Sequence, residues 1–451
     1  MWSRSLADVA RSSTPRRAAG RRGARGRRGG RERAPLPKGF GTIWTTVAVD
    51  LIGFGIVLPI LPQYAQRFGA TATVTGLLVA SYSLAQLVFS PVWGRLSDRI
   101  GRKPVLVISL FGTAIGSLLT GLAGAIPLLF VGRLIDGASG GSVSVAQAAV
   151  SDVAAPADRA RLMGLLGAAF GLGFVAGPAI AAVGALWGPH VPFYIAAAIA
   201  FVNALLAIRR LPETSPAVLG ASVGGGPVGG PGDVAEREAE LERAGTLDGP
   251  QPGSPLESPP DRSGVRGRID RAGIIRLITV SFVGMIAFSG FEATFSLLTE
   301  HRFGLKLSGT GAVFTAVGLA LVVVQVSIIG RVNDRFGESG TLRLGLACNA
   351  AGLALLAVDG GWATLVPSLA LLVLGQGLIT PTLSSAVAGR AAGERGTWLG
   401  WQQSAGGLAR VVGPVLAGVL FQHIGDGAPY AVGAVLVAVA LTLVPGSVRS
   451  G

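Results

Sequence analysis

Twelve apolar runs constrain this chain more than any other feature, because each is long enough, at about 20 residues, to cross a bilayer as a helix. They fall near residues 43–65, 73–93, 105–124, 126–149, 162–185 and 191–208. After a polar interval, six more follow near 274–298, 309–330, 342–358, 363–387, 398–420 and 429–446. Inside a bilayer every backbone polar group must be bonded within the protein, so only helices or a closed barrel can span it. Runs of this length, rich in Leu, Ala and Gly, are read as helices. The 14% of charged residues agrees, against about a quarter in soluble domains. The 69 glycines suit lipid-embedded helices that must pack closely without hydrophobic drive between them.

The two sets of six repeat. Gly330-Arg331-Val332-Asn333-Asp334-Arg335-Phe336-Gly337 echoes Gly94-Arg95-Leu96-Ser97-Asp98-Arg99-Ile100-Gly101, 236 residues on. Gly413-Pro414 echoes Gly177-Pro178 at the same offset, as do Arg395 with Arg159 and Gly400 with Gly164. One offset shared across separate helices and loops points to duplicated halves. The expected fold is therefore an all-α membrane protein with 12 transmembrane helices in two pseudo-symmetric six-helix bundles, at 43–208 and 274–446. In the second copy Glu338 and Ser339 replace Arg102 and Lys103, so its charged clasp is expected to be the weaker. Residues 209–273, rich in Gly, Pro and Ser apart from the charged Asp233–Arg243 stretch, read as a flexible linker with a short helix at most.

Charge gives a direction. The loops at 94–104, 151–161, 331–341 and 388–397 hold Arg95, Arg99, Arg102, Lys103, Arg159, Arg161, Arg331, Arg335, Arg390 and Arg395. The opposite loops hold Arg67, Arg302 and Lys306. Cations mark the cytoplasmic side, which places both termini, the tail at 1–42, the linker and the tail at 447–451 in the cytoplasm. Much of the net charge of +14 sits in residues 1–38, where eleven arginines and Lys38 oppose Asp8 and Glu32. That stretch has no apolar signal-peptide core and reads as a disordered tail touching anionic lipid. A transit peptide and a misassigned start are the alternatives. With 35 arginines against 3 lysines, the bias reflects base composition of the genome more than a nucleic-acid-binding surface.

Several chemistries are excluded. Cys348 is the single cysteine, so neither an intrachain disulfide nor a cysteine metal site is available. His190, His301 and His423 lie in or beside short loops with no ligand spacing, which leaves no metal site. There is no G-x-x-x-x-G-K-[ST] phosphate loop and no nucleophile elbow, so neither ATP-driven export, an enzyme, nor a cofactor is expected.

Ionisable groups inside apolar runs are functional candidates by default, since each charge costs at least about 2.5 kcal/mol on insertion scales. Asp50 lies about 10 Å inside span one at 1.5 Å per residue. In span four, Arg133 and Asp136 share one helix face, as a structural pair or a functional one. Glu292 in span seven falls about 27 Å from its start, close to the outer face, where it either functions or snorkels to the interface. Arg410, midway along span eleven, is a counter-ion for Asp50, Asp136 or Glu292. Among uncharged residues Gln147, Gln376 and Gln402 are the candidate substrate contacts. Span five carries Gly164, Gly173, Gly177 and Pro178, a kinked helix built for close packing. The segment from Gly94 through Asp98, Arg99, Gly101, Arg102 and Lys103, with Asp334 and Arg335 in the second copy, is a candidate gating loop.

These motifs resemble those of the major facilitator superfamily. G-x-L-x-D-R-x-G-R-K at 94–103 is similar to the family's loop between helices two and three, and Arg133-x-x-x-Gly137 to its span-four motif, whose arginine is implicated in proton coupling. The span-five glycines resemble the signature of drug–proton antiporters, with Ala181-Ala182 in place of the usual closing glycines. An acid at the position of Asp50 is usual in the twelve-span tetracycline and multidrug antiporters. The resemblance implies a monomeric transporter of the inner or plasma membrane that exports small amphiphilic compounds in exchange for protons. A proton symporter or facilitator for a nutrient, or a non-transporting receptor, are the competing readings.

Overall fold

The computed structural model describes residues 36–37, 39–154, 158–216, 218–219, 270–391 and 394–445. Most of the basic tail, the central part of the linker with its Asp233–Arg243 stretch, and the C-terminal tail lie outside the described residues. The first half is built from α1 (Phe40–Gln66), α2 (Ala72–Ile100), α3 (Arg102–Gly121), α4 (Ile126–Ser139), α5 (Ser142–Val153), α6 (Arg159–Gly184) and α7 (Val191–Arg210). The second contains α8 (Arg271–Phe303), α9 (Leu307–Val323), α10 (Ile329–Ala357), α11 (Trp362–Arg390), α12 (Arg395–His423) and α13 (Ala428–Thr442). A π-helical turn, Val324–Ile328, joins α9 to α10. Thr71 caps α2 by accepting from the Val74 N–H at 3.3 Å, and Asp270 caps α8 by accepting from Gly273 at 2.9 Å. Prolines open α4, α7 and α13, where a missing N–H costs nothing.

Three boundaries differ from the sequence reading. Residues 94–100 are not loop: α2 runs on to Ile100, and only Gly101, at φ +105°, breaks the chain before α3. The second copy does the same, since 331–336 are helical and Gly337 turns at φ +67°. Polar side chains on a helix facing water do not end it; a left-handed glycine does. Span four is two helices, α4 and α5, parted at Gly140-Gly141. Nine helices among the described residues are long and apolar enough to span, and one of these, Leu307–Ala357, divides at Gly337. With the α4–α5 pair and α13, they account for the expected two sets of six.

The packing repeats as the sequence does. In the first half α1 lies against α6 and α7, and α3 against α4 and α7; in the second, α8 lies against α12 and α13, and α10 against α11 and α13. The halves meet along α2 with α12 and along α6 with α9. Large apolar side chains such as Val88, Phe89, Phe201, Val323 and Val435 stay exposed, as lipid-facing residues do.

Candidate functional site

Asp50 sits on α1 where α4 gives way to α5, and the Ser142 hydroxyl donates to its Oδ2 at 2.6 Å. The break at Gly140-Gly141 brings Ser142 there. One and two turns before that break, Asp136 and Arg133 form an ion pair at 2.6 Å, both almost fully buried. The Arg133 guanidinium lies 4.4 Å from the centre of the Tyr82 ring, and its Nε has no partner among the described residues. Gly137 rests on the Tyr82 backbone, so α2 and α4 nearly touch at this level. The span-five glycines complete the first-half site from behind. A Cβ at Gly173 would come 2.6 Å from the Leu51 carbonyl oxygen, and Gly177 lies against Gly55, which fixes α1 on α6 beside Asp50. Gly164 faces open space and packs nothing.

A partly open cavity of about 50 Å³ lies between α6 and helices of the second half, lined by Phe174, Phe288, Phe291, Glu292, Phe314, Asn349 and Gln376 among others. Glu292 is therefore part of a cavity wall, with eleven residues of α8 still to follow it. Asn349 Nδ2 donates to Gln376 Oε1 at 3.3 Å, and Gln376 Nε2 to Thr380 at 3.4 Å. Of the three glutamines singled out, Gln376 lines this cavity; Gln147 and Gln402 are half-buried elsewhere. Arg410 is exposed on α12 and forms no ion pair with Asp50, Asp136 or Glu292 among the described residues.

At the end of the molecule bearing the start of α1, the hub is Arg102 rather than Asp98. Its guanidinium reaches Asp98 at 2.6 Å, the Ser97 hydroxyl at 2.6 Å and Asp152 on α5 at 3.0 Å. The backbone N–H groups of Arg102 and Lys103 donate to the Glu213 carboxylate at 2.8 and 3.2 Å. Partial burial pulls the Glu213 carboxyl up, but four backbone N–H groups, from Ser215, Arg102, Lys103 and Thr214, hold it below its ordinary range. Asp98 itself is 65% exposed, and Arg99, Asp334 and Arg335 are exposed too. In the second copy the signs are exchanged: Glu338 stands where Arg102 does, and Arg390 reaches it at 3.7 Å and Asp270 at 3.7 Å.

The far end is shut. Gln63 Nε2 on α1 donates toward the carbonyls of Ser296 and Leu305 and the Thr310 hydroxyl, at 2.8, 3.0 and 3.0 Å, all in the other half. The Thr73 N–H donates to Gln422 at 3.1 Å. Gly76 lies on the Pro414 carbonyl, and a Cβ at Gly311 would come 3.0 Å from that of Pro178, so both seams are zipped by corresponding residues. Among the described residues, the side-chain hydrogen bonds joining the halves lie at this end.

A duplicated helical scaffold, closed at one end and carrying buried ions near its middle, has the form of an alternating-access carrier. The family model for the Major Facilitator Superfamily matches residues 43–327 and 277–449. This chain belongs to the major facilitator superfamily. Such a facilitator is an integral membrane transporter, not an enzyme. It is 29% identical to the class B tetracycline resistance protein of Escherichia coli over 83% of this chain and 86% of that one. It is 30% identical to the class G protein of Vibrio anguillarum over 82% and 86%, and 26% identical to multidrug resistance protein 2 of Bacillus subtilis (strain 168) over 85% and 88%. Among solved structures, the human organic anion transporter MFSD10 superposes with a TM-score of 0.62 at 26% identity, covering 90% of this chain and 99% of that one. Asp152, Glu213, Ser142 and Gln63 were missed in the sequence, because each meets its partner across at least fifty residues of chain with no periodic signal.

Proposed function

We propose that this facilitator exports small amphiphilic compounds from the cytoplasm in exchange for protons. The observation that carries the reading is the constellation around Asp50: a membrane-embedded carboxylate bonded to Ser142, which follows the Arg133–Asp136 pair across the α4–α5 break, against a helix whose glycines follow the antiporter pattern. Relatives named for tetracycline and multidrug resistance support the direction. In this reading the termini are cytoplasmic, and the end closed by Gln63 and the glycine seams is the outer one. In this conformation substrate enters between the bundles while Asp50 gives up its proton. When the bundles rock, protonation from outside neutralises Asp50 and releases substrate, and the protonated carrier returns.

The test is drug accumulation in an efflux-deficient host together with proton-driven transport in inverted vesicles. Asp50→Asn, which keeps the shape and the Ser142 bond but cannot ionise, is expected to abolish export while leaving the protein folded. Export that continued at the wild-type rate would overturn the exchange mechanism, and substrate moving in the same direction as protons would make the chain a symporter. Asp98 is free of the other half in this conformation, and its role falls in the opposite one, clasping the cytoplasmic side. Asp98→Asn is expected to slow transport several-fold with no change in thermal stability. Unaltered transport would remove Asp98 from the gate.

A further inference from the structure

We infer that Gln86 and Trp93 on α2 are positioning residues for the proton site: they hold the α4–α5 break in the shape that keeps Ser142 on Asp50. This rests on the exchange reading, in which Asp50 carries the proton, and names the side chains that place its hydrogen-bond donor. A helix that stops inside the membrane frees the carbonyls of its last turn, and lipid offers them no donor. α4 stops at Ser139, and three successive carbonyls there each take a side chain from a neighbouring helix. Trp93 Nε1 donates to the carbonyl of Ala138, the Ser109 hydroxyl on α3 to that of Ser139, and Gln86 Nε2 to that of Gly140 at 3.1 Å. A Cβ at Gly141 would come 2.6 Å from the Trp93 ring, so that glycine is what lets the indole approach. Two residues after Gly140, the Ser142 hydroxyl meets Asp50 Oδ2 at 2.6 Å. A donor so near the break is placed only as well as the break itself is held.

The second half supplies an internal control. At the offset of 236 residues Gly141 corresponds to Gly377, yet Gly377 lies inside the unbroken α11. Glycine by itself does not open the helix. Gln86, Trp93 and Ser109 correspond to Val322, Ile329 and Gly345, none of which has a side-chain donor. Asp50 and Ser142 correspond to Ile286 and Leu378. The half without a carboxylate at this place thus has neither the break nor the donors that satisfy one. Five polar residues present together in one half and absent together in the other behave as parts of one device.

Dicyclohexylcarbodiimide, which adds to protonated carboxyls in apolar surroundings, reads the site without any substrate. The purified full-length protein is labelled from about pH 5 to 9, and the yields at Asp50 and at Glu292 are read by peptide mass spectrometry. Ser142→Ala is expected to move the Asp50 profile by about half a pH unit or more, and Gln86→Leu to move it to the same place. The double variant is expected to move it no further, since both changes remove one bond. Trp93→Phe, which keeps a ring against Gly141 but cannot donate, is expected to move it the same way by less, and decides the matter where Gln86→Leu fails to fold. The Glu292 profile is expected to stay in place throughout. An Asp50 profile indifferent to these variants, shifts that add in the double variant, or a Glu292 profile that moves with them, as general loosening would make it, would overturn the assignment. The labelling needs no transport: if Asp50→Asn exports normally, the exchange reading fails and the positioning result still stands.

Discussion

The two halves solve the same two structural problems with opposite chemistry. At the terminal end, the first half anchors its chain reversal with a buried arginine bonded at 2.6–3.0 Å to Asp98, Ser97 and Asp152, while the second places Glu338 there and meets Arg390 at 3.7 Å. At the far end the strength is reversed. The first half joins Tyr64 to His190 at 2.6 Å and to the carbonyls of Gly121 and Ala123 at 3.4 and 3.5 Å. At the corresponding end, the second half joins Arg302 to Asp426, which matches His190, at 2.8 and 2.9 Å and to the carbonyls of Leu356 and Val358 at 3.2 and 3.1 Å. Among the described residues, the short ionic contacts at the chain reversals thus lie at opposite ends in the two halves. What the duplication holds fixed is the backbone, with a left-handed glycine at 101 and 337. The sign and strength of the charges are free to differ, because a junction needs only complementary groups at that spot.

The largest effect expected is at the first of these junctions. Arg102→Ala leaves Asp152 and the Ser97 hydroxyl without their shared partner in a largely buried place, and should cost about 3 kcal/mol. The mirror change, Glu338→Ala, breaks a longer and more exposed contact and should cost under about 1 kcal/mol. Unfolding in mixed micelles measures both. Equal losses would show that the junctions are energetically alike and that the distances mislead.

Asp426→Ala comes next, at about 2 kcal/mol, since it strands Arg302, whose side chain is 7% exposed. This junction also has a pH signature. The Arg302 guanidinium, then the His301 ring, hold the Asp426 carboxyl at about 2, below its ordinary 3.8, against the upward pull of burial. A carboxyl depressed by folding stabilises fully above its unfolded value and loses that stabilisation as pH falls through its folded one. The gap between wild type and Asp426→Asn should therefore be constant from pH 8 to about 5 and narrow between about 4 and 2. A gap that changed near neutrality would implicate a different group.

How much of this could be read from sequence follows from where each signal lives. Span positions and the 236-residue repeat are local or translational patterns, and the packing of α1 on α6 and α8 on α12 follows them. Gly101 and Gly337 were visible as repeated glycines, although the helix continuing up to each was not, because charged residues carry no periodic mark of an end. Asp50, Arg133 and Asp136 stood out as charges in apolar runs, and the structure places Asp136 one turn and Arg133 two turns before the α4–α5 break, with Asp50 bonded to Ser142 just after it. Arg410 and Glu292 stood out for the same reason, yet sequence has no means of pairing side chains on helices whose neighbours it does not know. Arg302 and Asp426 went unpaired because the loop joining α12 to α13 returns to α8 only in three dimensions.

The smallest effect should come from Tyr64→Phe. The ring is fully buried and keeps its contacts with Phe68 and Phe193 at 5.2 and 4.6 Å between centroids, so the substitution removes a hydroxyl and little else. His190 retains the Gly121 carbonyl at 3.0 Å, and no buried charge is stranded, which limits the loss to about 1 kcal/mol or less. Set beside Asp426→Ala at the corresponding end of the other half, this isolates what an ionic junction adds over a neutral one on the same backbone. If Tyr64→Phe unfolds as readily as Asp426→Ala, the far ends of the halves are equivalent in energy, and the alternation of strong and weak junctions reduces to a difference in residue type.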